Sequence, residues 1–165
     1  NAEEVIRAVE KDSSAIGYVS KGAITDASEV KELSINGIGV DSKGGSYPLS
    51  RSFYLAYSGK LTDLEQDFLT YIHSAGQEIV GNSFVPIAKS NTFLSNKASG
   101  EINITGSTSV APLMEELAAE YMKLNPNAVI QVTESDSSDG LTKAMSEECD
   151  FGMSSRELKD YEIVF

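Results

Sequence analysis

The chain has 165 residues, of which 41% are apolar and 23% are charged, and this composition is typical of a folded globular protein rather than a disordered or collagen-like chain. Thirteen basic and 25 acidic residues give a net charge of −12, which repels nucleic acids and anionic lipid, so no nucleic-acid partner is expected. The single cysteine excludes an internal disulfide framework and a multi-cysteine zinc site, and no apolar stretch approaches the length of a membrane span.

The first half of the chain predicts short elements separated by turns. Apolar residues at helical spacing predict an amphipathic helix over residues 2–11, and apolar runs predict strands over 15–19 and 33–40. Glycines around 44–46 predict a hinge or crossover. Residues 52–58 are rich in aromatic side chains and predict the clearest strand of this half. The chain begins with Asn1 and lacks a leader pattern, so we expect a fragment or a processed product.

A capping box marks the start of the next helix. Thr62 and Glu65 stand three residues apart, so the hydroxyl and the carboxylate can satisfy the free amides of the first helical turn. A second short helix is predicted over 75–80. Residues 88–100 are small and polar with little periodicity, which is the composition of a linker. We therefore place a segment boundary there.

The last part of the chain alternates between strand and helix patterns. Three strand–helix units between residues 101 and 165 predict a parallel sheet flanked by helices, which is an α/β fold. The predicted strands are 102–105, 129–132 and 151–153, and the helical patterns that follow them are 110–124, 141–146 and 156–162.

Each of these three strands runs into a turn rich in hydroxyl groups. The turns are 106–109, 135–138 and 152–155, and because parallel strands end at the same edge of a sheet, we expect them to converge on one crevice. A helix begins with unpaired amides and a partial positive charge, and Pro112 is expected to leave the amides of 109–111 free. Such turns can hold a small tetrahedral oxyanion through dipoles and hydroxyl groups, even on an acidic protein.

Other interpretations of these turns remain open or are disfavoured. A serine or threonine before a helix is most often only an N-cap, and three in succession leave the N-cap and the anion-site interpretations about equally supported. The first turn lacks the second glycine of a nucleophile elbow, and the sole histidine, His73, lies on a distant helix. No phosphate loop, dinucleotide fingerprint or calcium-loop spacing is present, so no catalysis, metal or cofactor is expected.

Two sets of motifs resemble the phosphate-binding proteins of bacterial ABC transporters, a periplasmic-binding-protein-like family. Residues 104–113 (ITGSTSVAPL) and 151–159 (FGMSSRELK) are similar to the amino-terminal part of that family. Residues 15–20 (AIGYVS) and 47–51 (YPLSR) are similar to its carboxy-terminal part. The family's ending therefore precedes its beginning here, which implies either a fragment of a tandem protein or a circular permutant. The linker composition at 88–100 favours the tandem fragment.

The resemblance implies a fold in which two α/β lobes close on the anion like a clamp. One lobe, a parallel-rich sheet flanked by helices, would be assembled from the carboxy-terminal part of one module and the amino-terminal part of the next. Residues 46–87 and 101–165 would supply these two parts, 88–100 would be the linker, and 1–45 would be a remnant of the second lobe. An exchange of parts between two copies, which gives a domain-swapped homodimer, fits the same topology.

By motif position, the resemblance implies phosphate ligands at Thr108, Ser109, Ser137 and Ser155. Some family members have an aspartate at the position of Ser155, where it accepts a hydrogen bond from protonated phosphate, so the separation of phosphate from sulfate is left open here. Arg156 either contributes charge to the site or forms a surface ion pair. The family's opposing-lobe loop, an arginine followed by Ser-Gly-Thr, has no match in this sequence.

The function implied by the resemblance is capture of inorganic phosphate for an ABC importer, without catalysis. The partners would be phosphate and the ABC permease of the parent protein. The location would be extracellular, with a lipid anchor outside this part of the protein. The alternative is a sensory or adhesive relative that keeps the lobe and does not capture phosphate.

Overall fold

The computed structural model describes residues 2–25, 28–40, 42 and 47–163, and the chain divides into two compact units. The smaller unit comprises Asn1–Ser50 with Ser83–Val85, and the larger comprises Arg51–Asn82 with Pro86–Phe165. The predicted segment boundary at 45 and 46 and the predicted hinge at 44–46 lie outside the described residues.

The described residues of the smaller unit form one α-helix, α1 (Ala2–Lys11), which confirms the helix predicted from apolar spacing, and a 3-10 turn at Lys21–Ala23. The strand predicted over 15–19 is wrong, because these residues form no ladder. Gly17 gives the physical reason, since a β-carbon there would lie 2.8 Å from the side chains of both Val5 and Val9. The backbone at Gly17 therefore lies close against α1, whereas the side chains of Ile16 and Tyr18 are exposed.

Residues 33–40, also predicted to form a strand, reverse direction in the middle. A single antiparallel bridge joins Ile35 to Ile38. Between them, Asn36 and Gly37 have φ angles of 52° and 79°, the left-handed conformation that a two-residue hairpin turn requires. The apolar residues at 35 and 38 therefore face each other across a turn rather than extending along one strand.

The larger unit is built on a sheet of four strands, which are β1 (Tyr54–Ala56), β2 (Gly100–Ser107), β3 (Ala128–Ser135) and β4 (Phe151–Ser154). Their order in the sheet is β1-β4-β2-β3. The inner strand β2 pairs in parallel with β3 and with β4, whereas β1 pairs antiparallel with β4 and places Tyr54 opposite Ser154. The α/β class and the parallel pairing predicted from the strand–helix rhythm are confirmed.

Four helices accompany this sheet, and none of the helices in the described ranges is long and apolar enough to cross a membrane. The predicted capping box is confirmed: the Glu65 N–H donates to Thr62 Oγ1 at 3.3 Å, and the Thr62 N–H donates to the Glu65 carboxylate at 2.6 Å. The helical pattern predicted over 156–162 is wrong except for one 3-10 turn at Asp160–Glu162. The helices are α2 (Asp63–Ile72), α3 (Gly76–Ser83), α4 (Ala111–Leu124) and α5 (Ser137–Met145).

The apolar core of the larger unit forms where α2 and α4 pack against the sheet. Strand residues on β2 and β4 are fully buried there, as expected for parallel strands covered by helices. Phe68 of α2 and Tyr121 of α4 meet edge to face with ring centroids 5.1 Å apart, an arrangement that aromatic pairs favour. The core side chains from the strands are Ile102, Ile104, Ala128, Ile130, Phe151 and Met153.

Residues 88–99, predicted as a linker, have no regular structure but are anchored to the larger unit. The buried carboxylate of Asp67 accepts hydrogen bonds from Ser95 Oγ at 2.7 Å, the Asn96 N–H at 3.0 Å and the Tyr121 hydroxyl at 2.7 Å. Burial raises the pKa of Tyr121 to about 12, so its hydroxyl remains a donor to Asp67. Buried polar groups need such partners, and the two bonds from Ser95 and Asn96 fix the end of the segment in place.

Glycines allow α5 to lie directly on the backbone of β2 and β4. A β-carbon on Gly140 would lie 2.6 Å from the carbonyl oxygen of Thr105, and one on Gly152 would lie 2.4 Å from that of Gly140. Gly106 has a φ of +141°, and its β-carbon would lie 2.3 Å from the Met153 carbonyl oxygen. This close approach brings the first turn of α5 beside the ends of both strands.

The substitution Gly140→Ala is expected to lower the free energy of unfolding by about 2 to 3 kcal/mol, because the new methyl group collides with fixed backbone atoms. Gly81→Ala is the matched control, since it also lies inside a helix but its β-carbon would meet nothing nearer than Pro86 Cγ at 4.0 Å. Helix propensity predicts that this control is neutral or up to about 1 kcal/mol more stable. Urea unfolding followed by circular dichroism measures both, and equal stabilities would contradict the close packing.

Candidate anion-binding site

The ends of β2, β3 and β4 meet at one edge of the sheet, where their hydroxyl-rich turns are in contact. Ser107 Oγ donates to Ser155 Oγ at 3.0 Å, and the Ser155 N–H donates to Ser137 Oγ at 3.2 Å. These two hydrogen bonds link all three turns, so the predicted convergence is confirmed. We call Ser107, Ser137 and Ser155 the serine cluster.

The four residues assigned by resemblance lie in or beside the serine cluster at different depths. Thr108 is exposed, Ser109 and Ser137 are half-buried, and Ser155 is buried with 7% of its surface exposed. Ser107 was not assigned, yet it is only 4% exposed and contacts Ser155 directly. Its position as the last residue of β2 is the signal that points to it, because strand ends form the ligand edge of such sheets.

The backbone amides of the first turn are only partly available to a ligand. The Val110 N–H donates to the Ser107 carbonyl at 2.9 Å, and the Ser109 N–H donates to Ser107 Oγ at 3.3 Å. Pro112 lies in the first turn of α4, as predicted. The expectation that the amides of 109–111 are free is therefore wrong for two of the three, because the tight turn after β2 closes on Ser107.

Asp136 is the N-cap of α5, and its carboxylate occupies the amides at that helix end. Asp136 Oδ1 accepts from the N–H groups of Ser138 at 2.8 Å and Asp139 at 2.9 Å. A carboxylate in this position stabilises the helix and interacts favourably with its dipole. It also places a negative charge next to Ser137, so the second turn offers a hydroxyl group rather than free helix amides.

Arg156 forms a two-pronged ion pair with Glu162 just after the third turn. Its Nη1 and Nη2 donate to the two carboxylate oxygens at 2.8 and 2.7 Å, and the Glu162 side chain is 4% exposed. Nη2 also donates to Ser138 Oγ at 3.1 Å. Of the two roles left open for Arg156, the structure shows the ion pair, and this contact also draws residues 156–162 out of a helical path.

Arg51 approaches the first turn from the antiparallel strand. It stands three residues before β1, which enters the sheet where β4 ends, and its Nη2 donates to Ser109 Oγ at 3.4 Å. The sequence pattern did not indicate that Arg51 belongs to this site, because the predicted sheet was parallel. In a parallel sheet, a residue that precedes a strand lies at the amino edge and not at the carboxyl edge. The direction of β1 is what brings Arg51 there.

A surface cavity of about 450 Å³ lies at the opposite end of β2 and contains none of these residues. Carboxylates on its walls disfavour anions. Among the residues that the structure describes, no group of three or more histidine, cysteine, aspartate or glutamate side chains is placed to hold a metal ion. The serine cluster is therefore the better candidate for a binding site. The acidic residues of the cavity are Asp63, Glu65, Glu101 and Asp150.

Comparisons with known proteins show what this chain is similar to. Residues 91–165 match the family model described as a PBP superfamily domain. The phosphate-binding protein PstS 2 of Streptococcus pneumoniae serotype 4 is 41% identical over 164 residues, which are 96% of this chain and 56% of that protein. PstS 2 of Streptococcus agalactiae serotype V is 39% identical over 160 residues, which are 93% of this chain and 54% of that protein.

A solved structure gives the same relationship in three dimensions. The crystal structure of a phosphate ABC transporter, phosphate-binding protein from Streptococcus pneumoniae TIGR4, superimposes with a TM-score of 0.81 at 40% identity, over 98% of this chain and 65% of that one. These matches confirm the resemblance drawn from the motifs and the periplasmic-binding-protein-like fold. The chain spans about half the length of the curated relatives it matches.

The Arg156–Glu162 pair gives a pH-dependent prediction about stability. Hydrogen bonds from Arg156 lower the pKa of Glu162 from its ordinary value of 4.5 to about 2. A lowered carboxyl pKa stabilises the folded state above pH 4.5, and this stabilisation is lost as the pH falls towards 2. We therefore expect Glu162→Gln to lower the free energy of unfolding at pH 7 by up to about 3 kcal/mol, with the difference vanishing near pH 2.

Denaturant unfolding at pH 7, 4 and 2 measures this effect. The exposed neighbour Glu157 provides the control, because Glu157→Gln is expected to change stability by no more than about 0.5 kcal/mol at any pH. A constant difference between wild type and Glu162→Gln across the three pH values would show that the ion pair does not lower the pKa of Glu162.

Proposed function

We propose that this chain, which matches a PBP superfamily domain over residues 91–165 and resembles phosphate-binding proteins over nearly its whole length, captures inorganic phosphate for an ABC importer. The observation that carries the proposal is the contact of Ser107, Ser137 and Ser155 at the carboxyl edge of the sheet. Ligands of open α/β sheets bind at this edge, and hydroxyl groups donate well to an ionised oxyanion.

In the proposed site, each turn contributes donors to one tetrahedral anion. Thr108 and Ser109 donate from the first turn, Ser137 from the second and Ser155 from the third. Contacts of 3.0 and 3.2 Å within the serine cluster hold Ser137 and Ser155 close enough to reach neighbouring oxygens of one ion, and the Ser109 N–H lies 3.3 Å from Ser107 Oγ of the same cluster. The protein then acts by binding and release, and no bond is made or broken.

The rest of the clamp is proposed to lie in parts of the parent protein outside this chain. Residues 46–87 and 101–165 would form one lobe, 88–100 would connect its two parts, and 1–45 would belong to the second lobe. Closure of the lobes would bury phosphate before delivery to the permease, at the outer surface of a cell where a lipid anchor holds the parent protein. The comparisons give no support for an exchange of parts between two copies, so the proposal uses one.

The order of the segments is explained better by a permuted chain than by a tandem fragment. An alignment preserves residue order, so the Streptococcus pneumoniae relative has these segments in the same order along 164 residues. That stretch makes up 56% of the relative, which leaves room for one further lobe but not for the rest of two complete modules. We therefore propose the permuted order and set aside the tandem arrangement that the linker favoured.

The second candidate function, a sensory or adhesive lobe without phosphate capture, is favoured by one specific observation. The Asp136 carboxylate already occupies the amides of Ser138 and Asp139 at the start of α5. A fixed negative charge at this point opposes the approach of a phosphate dianion. Failure of the protein to bind phosphate at millimolar concentration would favour this second function.

The substitutions Thr108→Ala and Ser137→Ala test phosphate capture. Each substitution removes one neutral hydroxyl donor, and we expect each to weaken phosphate binding by about tenfold. The melting temperature should fall by no more than the amount that the loss of one helix-terminal hydrogen bond causes. Ser146→Ala is the matched control, because this exposed serine lies at the far end of α5. Isothermal titration calorimetry with inorganic phosphate measures the affinity, and equal affinities in all four proteins would refute the proposed ligands.

The substitution Asp136→Asn tests the charge at the second turn. Asparagine caps a helix about as well as aspartate, so the variant keeps the fold and removes only the negative charge. We expect phosphate to bind about threefold or more tightly at pH 8 and low salt, because a repulsion between like charges is removed. Calorimetry at two salt concentrations measures this gain, and weaker binding by the variant would instead show that the carboxylate assists the ligand.

A further inference from the structure

We propose that Arg51 is the cationic ligand of this site, with its guanidinium group binding an oxyanion next to Ser109. The inference rests on the proposed function and adds to it a residue that the motif positions did not assign. Three features support this role: the path of the chain, the pairing of the nearby charges and the hydrogen-bonding capacity of the guanidinium group.

The path of the chain brings Arg51 to the right edge of the sheet. Strand β1 runs antiparallel to β4, with Tyr54 opposite Ser154, so the residues just before β1 lie where the other three strands end. Neighbouring strands are about 4.8 Å apart, and β2 is two positions from β1 in the sheet. The Arg51 side chain crosses the end of β4 to place Nη2 3.4 Å from Ser109 Oγ.

The two arginines at this edge differ in how their charges are paired. Arg156 gives both prongs of its guanidinium group to the Glu162 carboxylate, which neutralises it. Arg51 has no carboxylate within ion-pair distance among the residues that the structure describes, and its hydrogen bond to the neutral hydroxyl of Ser109 is long. Arg51 therefore retains its positive charge for a ligand at the first turn.

The surrounding negative charge favours such a cation. Residues 101–165 contain 13 acidic and four basic residues, and Asp136 adds a carboxylate at the second turn itself. Neutral hydroxyl groups orient an anion but do not offset this field. A guanidinium group offers five donors in a planar fork that matches two oxygens of phosphate or sulfate, so Arg51 supplies both charge and geometry.

The substitutions Arg51→Gln and Arg51→Lys test this assignment, with inorganic phosphate and sulfate as probes in calorimetry. We expect Arg51→Gln to weaken phosphate binding roughly 10- to 100-fold with an unchanged melting temperature, since the exposed side chain makes one long hydrogen bond. Arg51→Lys should recover part of the loss, because it keeps the charge but not the fork. Raising the salt concentration should weaken binding less in Arg51→Gln than in wild type.

The substitution Arg7→Gln is the matched control. Arg7 lies on α1 and pairs with Glu3, so this variant changes the net charge equally without touching the site. Wild-type affinity in Arg51→Gln, or an equal loss in Arg7→Gln, would overturn the role of Arg51 while leaving phosphate capture intact. If wild type binds neither phosphate nor sulfate, the proposed function fails and the assignment of Arg51 fails with it.

Discussion

The backbone contact between α5 and the ends of β2 and β4 is the constraint on which the candidate site depends. It exists because Gly140 on α5 and Gly152 on β4 carry no side chains at the points of closest approach, so both must remain small for the helix to pack there. Gly106 permits a separate close approach, between the backbones of β2 and β4 at Met153. The hydroxyl groups of the serine cluster then follow from backbone placement rather than from flexible side chains, which is how a binding site acquires fixed donor positions.

Most of the charged residues around the serine cluster stabilise the fold, and one of them is proposed to bind a ligand. Asp136 stabilises the start of α5, and Glu162 and Arg156 stabilise the segment after β4 by satisfying each other. Asp136 occupies two amides of α5, Ser107 occupies two amides of the first turn, and Glu162 pairs with one of the two arginines, so the sequence-based expectation of free helix ends does not hold. What remains for the proposed ligand is a set of neutral hydroxyl groups and the charge of Arg51, which has no carboxylate partner among the described residues.

The elements that could be predicted from the sequence are those specified by local periodicity or by a short motif. The capping box at Thr62, the helix α1 and the strand–helix rhythm after residue 100 are of this kind. The failures at 15–19 and 33–40 depend on what the segment meets in space, a helix in one case and its own turn in the other. Ser107 was within the recognised turn, whereas Arg51 required knowledge of the direction of β1, which local pattern does not encode.

The two units of the chain differ in how many residues they bury in a core of their own. A site with fixed donor positions requires a well-packed unit. None of the described residues before position 51 is fully buried, and Ile16 and Tyr18 are 82% and 62% exposed. The larger unit, in contrast, buries a continuous cluster on β2, β4, α2 and α4. Because every residue of the candidate site belongs to the larger unit, the positions of its donors are set by that unit's own packing. In the proposed clamp, lobe closure would then change how tightly an anion is held without having to create the donors that first bind it.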